Sequence, residues 1–232
     1  QVPPVGAGRT GECLAGIRQV AGQGKGRPVL AGMIGPYSLA GRLLDMTEIM
    51  ILCYEEPEIV ETVLEKVTGF LCDYARAFKE AGADGIVMAE PAAGLLSPGL
   101  FREFSVPYVK RICQAAREAG LALIYHNCGM VEPLLGDIAD IPADGYSFGN
   151  AVDMARVLKE MPGDRIVMGN IDPVGVHRSG TPETVEKAVT ELMERCGRDP
   201  NFLLSSGCDI PPVTPLANLQ AFFDSAQAFY GK

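Results

Sequence analysis

The sequence has no apolar run near the ~20 residues that a membrane-spanning helix needs, and no charged-then-apolar leader opens it. Basic residues are a minority, 20 against 29 acidic ones. The resulting net charge of −9 argues against a nucleic-acid partner, which would select basic patches. No Gly-x-Gly-x-x-Gly follows an apolar run and no Walker sequence occurs, so a nucleotide-binding fold has no support. Histidine is scarce, at two residues, His126 and His177. Cysteine is not scarce, but its seven residues are odd in number and scattered. That suits free thiols in a reducing compartment, and a cytoplasmic location, better than a disulfide scaffold. The first residue is Gln1 rather than Met, which suggests a processed or truncated product.

What is present is a repeated unit. The 232 residues are 47% hydrophobic, enough for a sizeable core, and read as one domain, 1–232, with a Gly-rich irregular segment at 1–27. Within that segment Cys13 to Val20 has the spacing of a short helix. Apolar runs then recur at 28–34, 84–89, 121–125, 145–148, 165–168 and 202–204, each followed by a polar loop and a stretch with helical spacing. The strongest helix opens at Glu56-Pro57, with Val60, Val63, Leu64, Val67, Leu71, Ala75 and Phe78 at intervals of three and four, and ends at Gly82. Pro107 splits the helix that starts at Ser97-Pro98, with Ser105 expected to cap its second half. Thr181 and Thr214, each before a proline, are expected to cap the last two helices. Short apolar strands alternating with helices predict a parallel sheet with helical crossovers. The fold class is therefore α/β, a (β/α)₈ TIM-type barrel, although six units are countable rather than eight. The first two strand–helix units are missing, or 1–27 hides one, or a partner closes the sheet.

The polar residues of interest all follow strands: Glu90, His126, Cys128, Asn150, Asp172 and Cys208. In a barrel of this class that is the active face. Alternate residues of a strand share a face, so His126 and Cys128 project together past Leu121–Tyr125. Imidazole and thiolate together suit zinc. Cys208, after Leu203-Leu-Ser-Ser-Gly, repeats the grammar of an apolar run, small residues and a thiol, and is the expected third ligand. Three protein ligands leave a position open, as in catalytic zinc sites. Glu90 and Asp172 are candidate catalytic carboxylates, although Asp172 before Pro173 could equally fix its loop; Asn150 is a candidate substrate contact. The other five cysteines read as core or bland, and His177 as a solvated turn residue.

Four stretches, Asp84-Gly-Ile-Val-Met-Ala-Glu-Pro91, Ser97-Pro-Gly-Leu-Phe-Arg-Glu-Phe104, Gly169-Asn-Ile-Asp-Pro173 and Ser205-Ser-Gly-Cys-Asp-Ile-Pro-Pro-Val-Thr-Pro215, resemble the uroporphyrinogen decarboxylase superfamily from about Val29 onward. The resemblance implies a (β/α)₈ barrel. It offers metal-free decarboxylases and zinc methyltransferases that take a methyl group from a corrinoid. His126, Cys128 and Cys208 match the second branch, the methylcobalamin:coenzyme M methyltransferase type. That branch implies Zn²⁺, a thiol acceptor and methylcobalamin supplied by a separate corrinoid protein, since no Asp-x-His-x-x-Gly is present. Members often carry an acidic residue near the end of the strand at 145–148, where this chain has Ser147-Phe-Gly-Asn150. Two alternatives stay open at this point: a decarboxylase-like lyase acting on a tetrapyrrole, which would need an arginine-rich mouth, and a truncated, non-catalytic barrel. A homo-oligomer is compatible with the sequence.

Overall fold

A computed structural model describes residues 2–24 and 26–231. Six strands form one sheet in the order β1 to β6, every neighbouring pair parallel. They are β1 Leu30–Ile34, β2 Gly85–Ala89, β3 Ala122–Asn127, β4 Gly145–Phe148, β5 Ile166–Ile171 and β6 Phe202–Ser206. Around them lie α1 Arg9–Gln23, α2 Pro36–Leu44, α3 Met46–Glu55, α4 Pro57–Glu80, α5 Pro98–Phe104, α6 Val106–Glu118, α7 Leu135–Ala139, α8 Met154–Glu160, α9 Pro182–Cys196 and α10 Leu216–Tyr230. This is six consecutive units of a (β/α)₈ barrel. Among the described residues β1 and β6 do not pair, so they are the two edges of the sheet. No described helix is long and apolar enough to cross a membrane.

Register explains which residues make the core. Met33, Met88, Tyr125, Tyr146, Val167 and Phe202 lie side by side across the six strands. All are buried, because this row faces the helices. Burying each such side chain stabilises the fold by about 1.5–3 kcal/mol. The next residues along point to the other face. That row runs Ala89, His126, Ser147, Met168, Leu203. Leu30, Ile166 and Leu203, on the same concave face, stay 42%, 51% and 47% exposed. The helix side is thus closed and the barrel interior open.

Helix α4 follows its sequence pattern: Pro57 starts it, and Val60, Leu64, Val67, Leu71, Ala75 and Phe78 are its buried stripe. Gly82 adopts φ 97° just past its end, a conformation that favours glycine. Thr181 caps α9 by accepting from the Thr184 amide. Two other expected caps are corrected. The helix does break between α5 and α6 at Ser105, but the Ser105 hydroxyl is buried without a hydrogen-bond partner among the described residues. The turn is instead closed by the Ser105 carbonyl, which accepts from the Val109 amide. Thr214 likewise caps nothing; Pro215 occupies the cap position and its carbonyl accepts from the Asn218 amide. The segment expected to be irregular contains the helix α1, Arg9–Gln23, in which only Leu14 is buried. Helix α3 is an element the sequence pattern did not announce, started by Asp45, whose carboxylate accepts from the Thr47 amide. Cys53, Cys113 and Cys196 are core, whereas Cys13 is exposed.

Candidate metal centre at the mouth of the barrel

Strand β3 continues two residues beyond the apolar run, so His126 lies within the strand, paired with Ala89 of β2 and Ser147 of β4. Its ring is on the concave face at the C-terminal end of the sheet. Asn127 points the other way and is fully buried. Its amide Nδ2 donates to the Glu90 carbonyl at 2.7 Å, and its Oδ1 accepts from the Gly129 amide at 2.9 Å. One side chain therefore ties β3 to β2 and turns the chain so that Cys128 rejoins the His126 side. An Asn with a glycine two residues later is the sequence signal for such a turn.

Cys208 arrives from β6. The Gly207 amide donates to the Ile171 carbonyl at 2.8 Å, and Ser206 Oγ donates to the Cys208 carbonyl at 2.8 Å. The loops meet backbone to backbone. A Cβ on Gly149 would lie 2.6 Å from Cys128 Cα, so no side chain fits there. Asn170 Nδ2 holds the same loop, donating to the Gly149 and Val152 carbonyls.

The result is that one ligand atom each of His126, Cys128 and Cys208 lies within 4.8 Å of the others. In a tetrahedral zinc site, bonds of about 2.3 Å to sulfur and 2.0 Å to nitrogen put ligand atoms about 3.5–3.8 Å apart. The donor set fits that ion with a contraction of about 1 Å. His126 Nδ1 lies 3.0 Å from Ser147 Oγ. An Nδ1–H donating to that hydroxyl leaves the Nε2 lone pair for a metal, the usual supporting arrangement for a ligand histidine. Burial lowers the His126 pKa, which keeps the ring neutral and able to ligate. Burial first, then the neighbouring Cys208 sulfur, push the Cys128 thiol up to about 11. Without a cation that thiol holds its proton; a bound metal ion reverses the balance. The centre opens into a cavity of about 570 Å³ on the concave face, lined by Val87, Ile124 and Met168 and, at the mouth, by Asp209.

The remaining sequence candidates lie elsewhere. Glu90 is fully buried, and its two carboxylate oxygens accept from the Tyr37 and Ser38 amides at 2.7 and 3.0 Å. It faces the start of α2, not the cavity. Burial outweighs these hydrogen bonds and raises its pKa from 4.5 to about 7. Asp172 Oδ1 accepts from the Val174 and Gly175 amides, both at 2.8 Å, and so begins the π-helical turn Pro173–Arg178. Of its two sequence readings, this geometry matches loop fixing. Asn150 shares with Asp172 and Asn170 a surface depression that includes none of the three candidate ligands. His177, expected in solvent, is buried under Phe222 with ring centroids 5.2 Å apart, because the π-helical turn folds it beneath α10. Ser147 and Asn127 join the site in addition to the residues that the sequence singles out. Ser147 becomes visible only once the register sets it beside His126.

Fold and site together define a parallel-barrel protein with an imidazole–dithiol cluster at the C-terminal end of its strands. The chain belongs to the uroporphyrinogen decarboxylase (URO-D) family, whose model matches residues 1–229. It is 32% identical over 225 residues to the methylcobamide:CoM methyltransferase MtbA of Methanosarcina acetivorans, an alignment covering 96% of this chain and 65% of that protein. It is 32% identical over 206 residues to the methylcobamide:CoM methyltransferase MtaA of Methanosarcina barkeri, covering 88% and 59%. The chain therefore spans less than two thirds of the length of these curated relatives. Among solved structures, a methyltransferase from Methanosarcina mazei superposes with a TM-score of 0.86 at 28% identity, covering 98% of this chain and 68% of that one.

Proposed function

We propose that the chain is a zinc-dependent methyltransferase that moves a methyl group from a methylated corrinoid, carried on a partner protein, to a thiol such as coenzyme M. The observation that carries this reading is the convergence of His126, Cys128 and Cys208 within 4.8 Å at the active end of the barrel. The relatives' names add the corrinoid and the thiol. Decarboxylation of a tetrapyrrole does not require this cluster, and its several carboxylates would require cations, of which the linings of the concave cavity and the pocket beside it hold one, Arg42.

His126, Cys128 and Cys208 would hold the zinc, with a fourth position open to the acceptor. Zinc there supplies Lewis acidity, which lowers the pKa of an approaching thiol so that it loses its proton near neutral pH. The two cysteines contribute two negative charges, which offset the dication and leave the acceptor sulfur electron-rich. Ser147 and Asn127 hold the His126 ring and the Cys128 turn in place. Val87, Ile124 and Met168 give the cavity an apolar wall that displaces water from the sulfur. In the net reaction the thiol proton goes to solvent, the carbon–cobalt bond breaks with its electron pair left on cobalt(I), and a sulfur–carbon bond forms. Glu90 and Asp172 act in this reading as positioning residues: Glu90 seats α2, and Asp172 shapes the loop after β5.

Zinc-saturated protein mixed with methylcobalamin and a thiol is expected to consume methylcobalamin in a thiol-dependent way. A chelator should abolish that consumption and added zinc should restore it. Loss of methylcobalamin at the same rate with or without zinc would remove this function from consideration.

A further inference from the structure

The sulfurs of Cys128 and Cys208 lie within 4.8 Å of each other, although the strands that lead to them are not neighbours. Strands β4 and β5 stand between β3 and β6, so three strand spacings, roughly 14 Å, separate the two along the sheet. The loops past the strand ends close that gap. Both press on Gly149: a Cβ there would lie 2.6 Å from Cys128 Cα, and a Cβ on Gly207 would lie 3.3 Å from the Gly149 carbonyl carbon. Two residues without side chains let the thiols approach.

The pair is also reachable. Both thiols are half-buried and line the same open cavity of about 570 Å³. Of the other cysteines, Cys53, Cys113 and Cys196 are buried, and Cys13 and Cys72 lie on two different helices, α1 and α4. A tetrahedral zinc ion holds two thiolate sulfurs about 3.8 Å apart. A disulfide holds them about 2.05 Å apart. Rotation of a cysteine about its Cα–Cβ bond swings the sulfur by up to roughly 3 Å, so both arrangements are within reach. The same two sulfurs satisfy one or the other, never both.

We propose that Cys128 and Cys208 are also a redox switch: in the metal-free protein a small organic disulfide oxidises them to a Cys128–Cys208 disulfide, which cannot take up zinc. This rests on the reading of these thiols as metal ligands and adds the regulation of that site. One cysteine sulfur attacks the small disulfide R–S–S–R, whose sulfur–sulfur bond breaks; the first R–S⁻ leaves and takes up the proton that the cysteine gave up. The second cysteine sulfur attacks the mixed disulfide, the protein disulfide forms, and the second R–S⁻ leaves with the second proton. Two electrons pass from the protein dithiol to the small disulfide, and two molecules of R–SH are released. The oxidant class is the oxidised form of a thiol that the cavity admits. The site therefore closes when that thiol pool is oxidised and reopens when excess thiol reduces it.

The test mixes reduced, metal-free protein with 2-hydroxyethyl disulfide, beside zinc-loaded protein treated in the same way. Intact mass should fall by two hydrogens, and tryptic mapping should find Cys128 joined to Cys208. Zinc uptake should be lost and should return after dithiothreitol. The zinc-loaded protein should react about tenfold or more slowly, because its sulfurs are exposed only in the metal-free fraction. Cys208→Ser should stop at the mixed disulfide on Cys128 and gain the mass of one R–S group. An unchanged mass in the unaltered protein, a disulfide between other cysteines, or full zinc uptake by the disulfide form would overturn the switch. Reduced protein that takes up no zinc would overturn the metal reading, and the switch with it. A protein that forms the disulfide and takes up zinc when reduced, yet transfers no methyl group, supports the switch and overturns only the methyl-transfer reading.

Discussion

Replacing Cys208 by alanine is expected to weaken zinc binding by about a hundredfold or more. Structural zinc sites with four ligands bind with about 10–16 kcal/mol, or about 3 kcal/mol for each ligand, which corresponds to roughly two powers of ten. Methyl transfer should disappear with the metal. Ser147→Ala makes the comparison informative. It touches no metal, but it removes the acceptor 3.0 Å from His126 Nδ1. Loss of such a supporting contact lowers affinity about 10–100-fold. The expected order is therefore unaltered protein, then Ser147→Ala, then Cys208→Ala, measured by competition with a chelator of known affinity. Normal zinc stoichiometry and affinity in Cys208→Ala would remove that residue from the site.

The second large effect concerns Glu90. Its carboxyl is fully buried, and burial holds its pKa near 7 against 4.5 when free. The folded state therefore keeps a proton that the unfolded chain has already lost between pH 4.5 and 7. Stability due to this group falls as pH rises through that window. The full cost, reached above pH 7, is about 3.5 kcal/mol, from 2.5 pH units at about 1.4 kcal/mol each. Burial lowers the pKa of His126 and of His177, which acts in the opposite sense. Those groups make stability rise with pH up to about 6.5. The difference between unaltered protein and Glu90→Gln isolates the carboxylate. With metal-free protein, urea unfolding is expected to show the variant gaining about 2.5 kcal/mol on the unaltered protein between pH 5 and pH 8. The lost acceptor for the Ser38 amide adds a roughly pH-independent offset of about 1–3 kcal/mol against the variant. Parallel stability curves would mean that Glu90 titrates normally, and a catalytic use of its charge would return as the better explanation.

Much of the fold was legible because it rests on local signals. The buried stripe of α4 and the apolar strands each announce themselves within a short window. The three candidate ligands were legible for a related reason. Their chemistry is specific, and each follows an apolar run, so strand ends alone bring Cys128 and Cys208 together across a separation of 80 positions. What local pattern could not carry was the direction of single side chains. Glu90 and His126 both lie at the C-terminal end of the sheet, yet only His126 lies on the concave face; Glu90 follows β2 and turns toward α2. Ser147 looked like an ordinary strand serine until register placed it beside His126. The Ser105 and Thr214 hydroxyls failed as caps because backbone carbonyls of the same turns close those helices. The polar sequence around His177 reads as a solvated turn, but it folds as a π-helical turn beneath α10 and buries the ring.

The central claim is that His126, Cys128 and Cys208 form a zinc centre. It is tested most directly by elemental mass spectrometry on protein purified under reducing conditions without added metal. One zinc per chain is expected, removable by chelator and regained on adding zinc. Protein that carries no zinc and takes up none after reduction would contradict the account, and with it the methyltransferase reading.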